Sequence, residues 1–117
     1  MSRLSIPRKV EEVHSIHDDD GMSPEHLVVT RRMLARKRGV SELHLVVNEY
    51  TFSSVISLGC LSSDAILESE NVTIVQVWAN MDSLKRHLGS SEFIEFIKRC
   101  EKLKRSEDIS IKRVTPV

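Results

Sequence analysis

Four side chains that could act on a small molecule are brought toward one another by the predicted elements. His87 can exchange a proton near neutral pH. Trp78 is the only tryptophan of the chain, and its flat ring could form one wall of a pocket for a planar aromatic molecule. Gln76 shares a strand face with Trp78, and Tyr50 could reach both from a long helix. We expect His87 to relay a proton and the other three to bind a substrate; a packing role for Trp78 and a capping or interface role for His87 stay open.

Two adjacent arginines, Arg31 and Arg32, add positive charge to the first predicted strand. Because side chains alternate along a strand, the two lie on opposite faces, and one of them must face a cavity or a partner subunit. An arginine in an enclosed site would stabilise a phenolate or an enolate. We take Arg32 as the second candidate catalytic residue, beside His87. A salt bridge at an interface is the alternative for either arginine.

The residues around Trp78 indicate a strand followed by two helices. The run from Val72 to Trp78 alternates between two sets of side chains, as expected for a strand that is packed on both sides. Asn80 can cap the helix that follows, and Gly89 ends it. A second helix begins at Ser90 or Ser91 and carries its large apolar residues on a single face.

The whole pattern predicts an α+β fold of the ferredoxin-like type, βαββαβ. The predicted elements are a strand at 26–36, a helix from Glu42 to Leu58 that Gly59 ends, strands at 60–68, 72–78 and 108–115, and the two helices after Trp78. Helices then cover one face of an antiparallel four-stranded sheet. The other face would carry apolar side chains such as Val28, Leu34 and Val75, and a large apolar patch is rare on a monomer. We therefore expect a homodimer.

The run Trp78, His87, Leu88, Ser90 and Phe93 resembles a pattern of the antibiotic-biosynthesis-monooxygenase-like family, in which a tryptophan ends the third strand and a His-Leu-x-Ser-x-x-Phe motif follows. The segment 59–62, Gly-Cys-Leu-Ser, is similar to the turn that leads into that family's second strand. The resemblance covers roughly residues 26 to 115. It implies a dimeric α/β barrel in which two sheets face each other and each subunit holds a ligand cavity between sheet and helices.

The resemblance also implies an activity: a cofactor-independent monooxygenase, an oxidoreductase that requires neither metal nor flavin. A bound phenol or enol loses a proton, and the carbanion reacts directly with dioxygen. Two departures keep other classes open. Ile74 stands where the quinone-forming members carry an asparagine, and Arg32 and Ile97 stand where the haem-degrading members carry residues that serve the haem. The alternative is a non-catalytic small-molecule-binding or stress-associated dimer; an isomerase for a phosphorylated sugar-like compound would need a strongly cationic pocket.

Composition limits the partners and the environment of the protein. A chain of 117 residues fits one core, and 17 basic residues balance 17 acidic ones, so no long-range field attracts nucleic acid or an anionic membrane. The basic residues within 31–38 lack interleaved aromatic residues, which argues against an RNA site. No apolar run could span a membrane, and the N-terminus lacks a signal-peptide core. Cys60 and Cys100 suit buried positions in a reducing compartment, so we expect a cytoplasmic protein with a small-molecule ligand.

Residues 1–24 form a predicted flexible extension to a domain at 25–117. They show no sustained period and contain Pro7 and Pro24, with a short helical turn expected from Val10 to Ile16. His14, His17 and the three aspartates after them are of the types that bind zinc or nickel. We favour a solvated acidic tail over a metal site, because no cysteine and no folded framework accompany them.

Overall fold

One antiparallel sheet and three helices make up the part of the chain that the computed structural model describes, residues 9–12 and 25–115. The strands are β1 (Lys9–Glu12), β2 (His26–Ala35), β3 (Cys60–Glu68), β4 (Asn71–Trp78) and β5 (Lys104–Thr115). The helices are α1 (Val40–Ser54), α2 (Met81–Leu88) and α3 (Ser91–Glu101), with a 3-10 turn, Lys37–Gly39, before α1. From β2 to β5 the order is the predicted βαββαβ, and the predicted ferredoxin-like fold is confirmed.

The sheet places β2 at its centre. Its strand order is β1-β5-β2-β4-β3, and every pair is antiparallel. β1 pairs with β5 and adds a fifth strand to the predicted four. The helical turn expected from Val10 is therefore wrong for Val10 to Glu12, which belong to β1. The remainder of that segment, including His14 and His17, lies outside the described residues.

The three helices pack on one face of the sheet. There Leu27 of β2 lies opposite Trp78 of β4, and Met33 lies opposite Val72. These side chains belong to two apolar clusters, one packed against α1 and α3 and the other against α2. The opposite face carries half-buried side chains, among them Val28, Thr30, Leu34, Thr73 and Val75. Among the described residues, no helix is long and apolar enough to cross a membrane.

Helix α1 ends at Ser54, before the predicted Leu58. Its last turn is rich in hydroxyl side chains that donate to backbone carbonyls, such as Thr51 to Val47 O at 3.0 Å. Such bonds compete with the regular helical pattern, which explains the earlier end. The chain then turns through Gly59, whose φ of +87° strains any residue that has a side chain. This turn delivers the chain to β3 at the predicted position.

Candidate functional site

Four of the five predicted site residues meet between the sheet and the helices. Gln76 and Trp78 lie on the helix-facing side of β4, Tyr50 lies on α1, and His87 lies on α2. Each of these four residues is at most 5% exposed. The alternation along β4 and the two helical patterns thus converge on one buried place.

Two capped helix starts fix the position of His87. Asn80 caps α2 by accepting a hydrogen bond from the Ser83 backbone N–H at 2.9 Å. Ser90 caps α3 by accepting from the Phe93 N–H at 3.1 Å, and its hydroxyl donates to the His87 carbonyl at 2.7 Å. The predicted Asn80 cap is confirmed, and of the two residues expected to begin the second helix, Ser90 is its cap. His87 and Phe93 are therefore held at fixed places on either side of the α2–α3 turn.

A buried hydrogen-bond network joins α1, α2 and two strands. The Tyr50 hydroxyl lies 2.6 Å from His87 Nε2 and 3.2 Å from Gln76 Oε1, while Gln76 Nε2 donates to Ser63 Oγ at 3.0 Å. The Tyr50 hydroxyl carries one hydrogen, so it has two possible arrangements. In one, the hydroxyl donates to an unprotonated His87 Nε2. In the other, it donates to Gln76 Oε1, and a protonated His87 Nε2 donates to the tyrosine oxygen. The two arrangements differ in the tautomer of His87 and in the direction of the tyrosine O–H, and both residues are neutral in each of them.

Aromatic rings surround this network and form, with it, what we call the aromatic cluster: Tyr50, Trp78, His87, Phe93 and Phe96. The Trp78 and His87 ring centroids are 4.5 Å apart, and Tyr50 stacks on Phe96 at 3.8 Å. Trp78 is fully buried, yet its indole Nε1–H has no hydrogen-bond partner. A buried donor without an acceptor is costly, so this group would favour a ligand atom that accepts a hydrogen bond.

Burial sets the protonation of the Tyr50–His87 pair. It lowers the pKa of His87, an effect that the Glu92 carboxylate opposes and the Arg31 charge reinforces. Burial also raises the pKa of Tyr50 to about 12, although the nearby Arg31 charge works against it. At neutral pH His87 is therefore a neutral base, and Tyr50 is a neutral donor beside it.

Of the two adjacent arginines of β2, Arg31 is the one that lies on the helix-facing side of the sheet. It is 6% exposed, pairs with Glu107 of β5, and has its guanidinium carbon 5.3 Å from the centroid of the Phe93 ring. Arg32 lies on the opposite face, with its side chain 60% exposed and 3.8 Å from Asp108. The structure therefore does not bring Arg32, the candidate catalytic arginine, to the aromatic cluster, and Arg31 occupies that side instead.

A cavity of about 250 Å³ between α1 and α3 reaches the outer side of the aromatic cluster. Tyr50 and Phe96 line it from within, together with charged residues of both helices. Two of its lining residues, Glu49 and Arg99, form an ion pair at 3.0 Å across the helices. All of its lining residues belong to α1 and α3, so neither His87 nor Trp78 borders it, and it is not the cavity between sheet and helices that the resemblance implied.

Two polar side chains of the site, Glu107 and Ser63, are not among the residues predicted from the sequence. Glu107 lay outside the strand predicted at 108–115, whereas β5 begins at Lys104. The residues 104–107 are all polar, so no alternation revealed them as strand. Ser63 follows an irregularity in β3, between Cys60 and Ser62, that shifts the alternation by one residue. No signal in the sequence pointed to either side chain.

The cysteines do not belong to the hydrogen-bond network of Tyr50, His87, Gln76 and Ser63, although Cys60 packs against the apolar cluster that contains Trp78. Cys60 is half-buried and Cys100 is buried, and both are free. Burial raises the pKa of both thiols, to about 12 for Cys100, which makes them poor nucleophiles at neutral pH. In the described part of the chain, no group of three or more histidine, cysteine or acidic side chains could hold one metal ion.

Solved structures from several bacteria share this fold. A "putative antibiotic biosynthesis monooxygenase" from Caulobacter crescentus superposes with a TM-score of 0.67 at 18% identity, over 75% of this chain and 88% of that one. A protein of the same name from Deinococcus radiodurans gives 0.68 at 15% identity, over 73% and 88%. PA3566 from Pseudomonas aeruginosa gives 0.68 at 22% identity, over 77% and 93%. No family model and no curated protein matches the sequence. The chain therefore has the antibiotic-biosynthesis-monooxygenase-like fold, as the resemblance implied.

Proposed function

We propose that this protein is a cofactor-independent monooxygenase that acts on a small aromatic or enolisable molecule held at the aromatic cluster. The observation that carries the proposal is the buried Tyr50–His87 hydrogen bond of 2.6 Å beside the Trp78 ring. A neutral imidazole in that position can take a proton from a ligand, and the buried Arg31 charge favours the anion that results. The bacterial proteins named above as monooxygenases share the fold, which is consistent with this chemistry.

The proposed reaction consumes one dioxygen molecule for each substrate molecule. His87 removes a proton from the enolisable CH2 group, and the resulting carbanion transfers electrons to dioxygen as a carbon–peroxide bond forms. His87 returns the proton to the peroxide, and loss of water leaves a carbonyl group on the former CH2 carbon. The carbon is oxidised by four electrons, and dioxygen is divided between the carbonyl and the water. Trp78 orients the ring, while the Arg31 guanidinium and the indole N–H stabilise the oxyanion.

The test is oxygen consumption with an anthrone, such as dithranol, as the substrate. We expect the protein to exceed the uncatalysed oxidation, and ¹⁸O₂ to label the new carbonyl group. His87→Ala and Trp78→Phe should each lower kcat, by about 10²-fold or more for loss of the base. The control is His44→Ala, since His44 lies outside the aromatic cluster and bonds the Ser69 carbonyl at 2.8 Å. If His87→Ala and Trp78→Phe both consume oxygen at the wild-type rate, the proposed roles of His87 as the base and of Trp78 in orienting the substrate are wrong.

A second candidate, a non-catalytic ligand-binding dimer of the same fold, is favoured by one observation. Ile74, which is 2% exposed and belongs to the core, gives the site an apolar side chain where the quinone-forming relatives carry an asparagine. Quenching of Trp78 fluorescence by quinols, without any oxygen consumption, would support this candidate over the enzyme. Turnover of any of these quinols would reject the non-catalytic candidate.

A further inference from the structure

A chain of charged side chains on the helix-facing side of the sheet leads to the aromatic cluster. Glu107 pairs with Arg31 through one carboxylate oxygen and with Lys104 Nζ, at 2.5 Å, through the other. The side chains of Arg31, Glu107 and Lys104 are 8%, 15% and 17% exposed. Buried charges of opposite sign attract each other strongly, and a buried charge without a partner lowers stability. The positions of Arg31, Glu107 and Lys104 relative to one another are therefore tightly constrained.

Phe93 connects this chain of charged side chains to the Tyr50–His87 pair. Its ring lies 5.3 Å from the Arg31 guanidinium carbon on one side, 5.4 Å from the His87 ring and 6.2 Å from the Tyr50 ring. A guanidinium group on a flexible stem has no fixed place of its own. Glu107 binds Arg31 through Nη1, which leaves other N–H donors of the planar group for a ligand.

We propose that Glu107 is a positioning residue: its carboxylate holds the Arg31 guanidinium against Phe93 and so fixes the positive charge that the aromatic cluster presents to an anionic ligand. The second oxygen of Glu107 is held by Lys104, so the carboxylate cannot rotate freely away from Arg31. Glu107 acts through Arg31 and does not contact the ligand. This inference rests on the proposed function, which supplies the anion for Arg31 to stabilise.

Trp78 allows the proposal to be tested without any substrate. It is the only tryptophan, and a protonated imidazole beside an indole quenches its fluorescence, so a pH titration of the fluorescence reports the pKa of His87. The charged groups that act on His87 are Glu92 of α3 and Arg31 of β2. Tyr50 of α1 is neutral throughout, because burial raises its pKa to about 12. A His87→Gln variant should lose the transition and thereby identify it.

The expected result follows from the sign of the Arg31 effect. Since Arg31 lowers the pKa of His87, a change that removes or releases the guanidinium raises it. We expect a rise in the pKa of His87 in Arg31→Met and in Glu107→Gln, because the charges that act on His87 are those of Glu92 and Arg31 and not that of Glu107 itself. Adding the second change to the first should give no further rise. The matched control is Asp108→Asn, which removes the same charge from the next residue of β5. Its partner Arg32 lies on the other face, so the pKa of His87 should not change.

An unchanged or lowered pKa of His87 in Glu107→Gln would overturn the proposal, as would an equal shift in Asp108→Asn. If Glu107→Gln does not fold, Glu107→Asp takes its place, because it keeps the charge but withdraws the carboxylate by one methylene group. A rise in the pKa of His87 in Glu107→Asp then supports the proposal, and an unchanged pKa of His87 overturns it. Oxygen consumption remains a separate measurement: a wild-type protein that is inert toward anthrones rejects the enzyme, whereas a failed titration rejects only the role of Glu107.

Discussion

His87 combines two properties that proton transfer requires, a fixed position and a neutral ground state. Its backbone carbonyl is held by the Ser90 hydroxyl at 2.7 Å, and its Nε2 lies 2.6 Å from the Tyr50 hydroxyl. Burial disfavours the imidazolium form and lowers the pKa of His87. The same burial gives the ring a measurable effect on the stability of the whole protein.

We expect that acid destabilises the wild-type protein more than His87→Gln. The pKa of His87 lies below its ordinary 6.5 in the folded state, so the unfolded chain binds a proton first as the pH falls. The contribution of neutral His87 to the free energy of unfolding is complete above about pH 6.5 and is lost as the pH falls toward the lowered pKa of the folded state. Urea unfolding at about pH 7.5 and pH 5 measures the difference in free energy of unfolding for each protein. The other four histidines are common to both proteins, and equal losses would contradict the idea.

At the scale of elements, the turn before β3 determines where α2 can lie. Gly59 adopts a φ of +87°, its carbonyl accepts a hydrogen bond from the Ala79 N–H at 2.8 Å, and a Cβ there would lie 2.0 Å from Ser83 Oγ. Ser83 is the residue whose backbone N–H Asn80 caps. A side chain at position 59 would therefore displace the start of the helix that carries His87.

We accordingly expect Gly59→Ala to lower the free energy of unfolding by roughly 1–3 kcal/mol from backbone strain alone, and to disturb the packing of Trp78 against His87. The matched control is Gly89→Ala. Gly89 has an ordinary φ of −94°, and a Cβ there would make an ordinary contact of 3.7 Å with the Lys85 carbonyl oxygen, so its replacement should change stability by less than about 1 kcal/mol. Urea unfolding and the near-UV signal of Trp78 provide the measurements. Two equally stable variants would show that the turn tolerates side chains.

The elements were predictable where local chemistry decides them. The β4 alternation, the Asn80 cap, a second helix that begins at Ser90 or Ser91 and the order βαββαβ follow from side-chain period and capping, and the structure has all of them. The end of α1 was missed because hydroxyl side chains compete for its last carbonyls, a local effect that apolar spacing does not reveal.

The composition of the site was less predictable, because it depends on which strand face meets the helices. Alternation alone separated Arg31 from Arg32 but could not assign either one to a side. Pairing decided the question: Arg31 shares its face with Ile74 of β4, which belongs to the core, whereas Arg32 lies opposite Asp108. Glu107 could not be found at all, since it enters the site only through the pairing of β5 with β2.

At the scale of the whole molecule, the sheet face without helices is one exposed apolar surface, and a second lies at the end of α1, where Phe52 and Ile56 are 83% and 87% exposed. The sheet face carries half-buried Val28, Leu34, Thr73 and Val75, together with Ile66, which is 54% exposed. A surface of this kind favours association, and two copies that meet through this face would cover it. We therefore propose a homodimer, in which the two aromatic clusters lie on the outer sides of the paired sheets.

We expect sedimentation velocity at micromolar concentration to give twice the 13.3 kDa mass of one chain. Val75→Lys should shift the protein toward the monomer, because dimerisation would bury an ammonium group. The monomer itself should tolerate the change, because the new side chain can pair with Asp64, which lies opposite it on β3. Ile94→Lys is the control, since Ile94 of α3 is 46% exposed on the helical side. A wild-type monomer would reject the homodimer, and a dimer that Val75→Lys leaves intact would place the interface elsewhere.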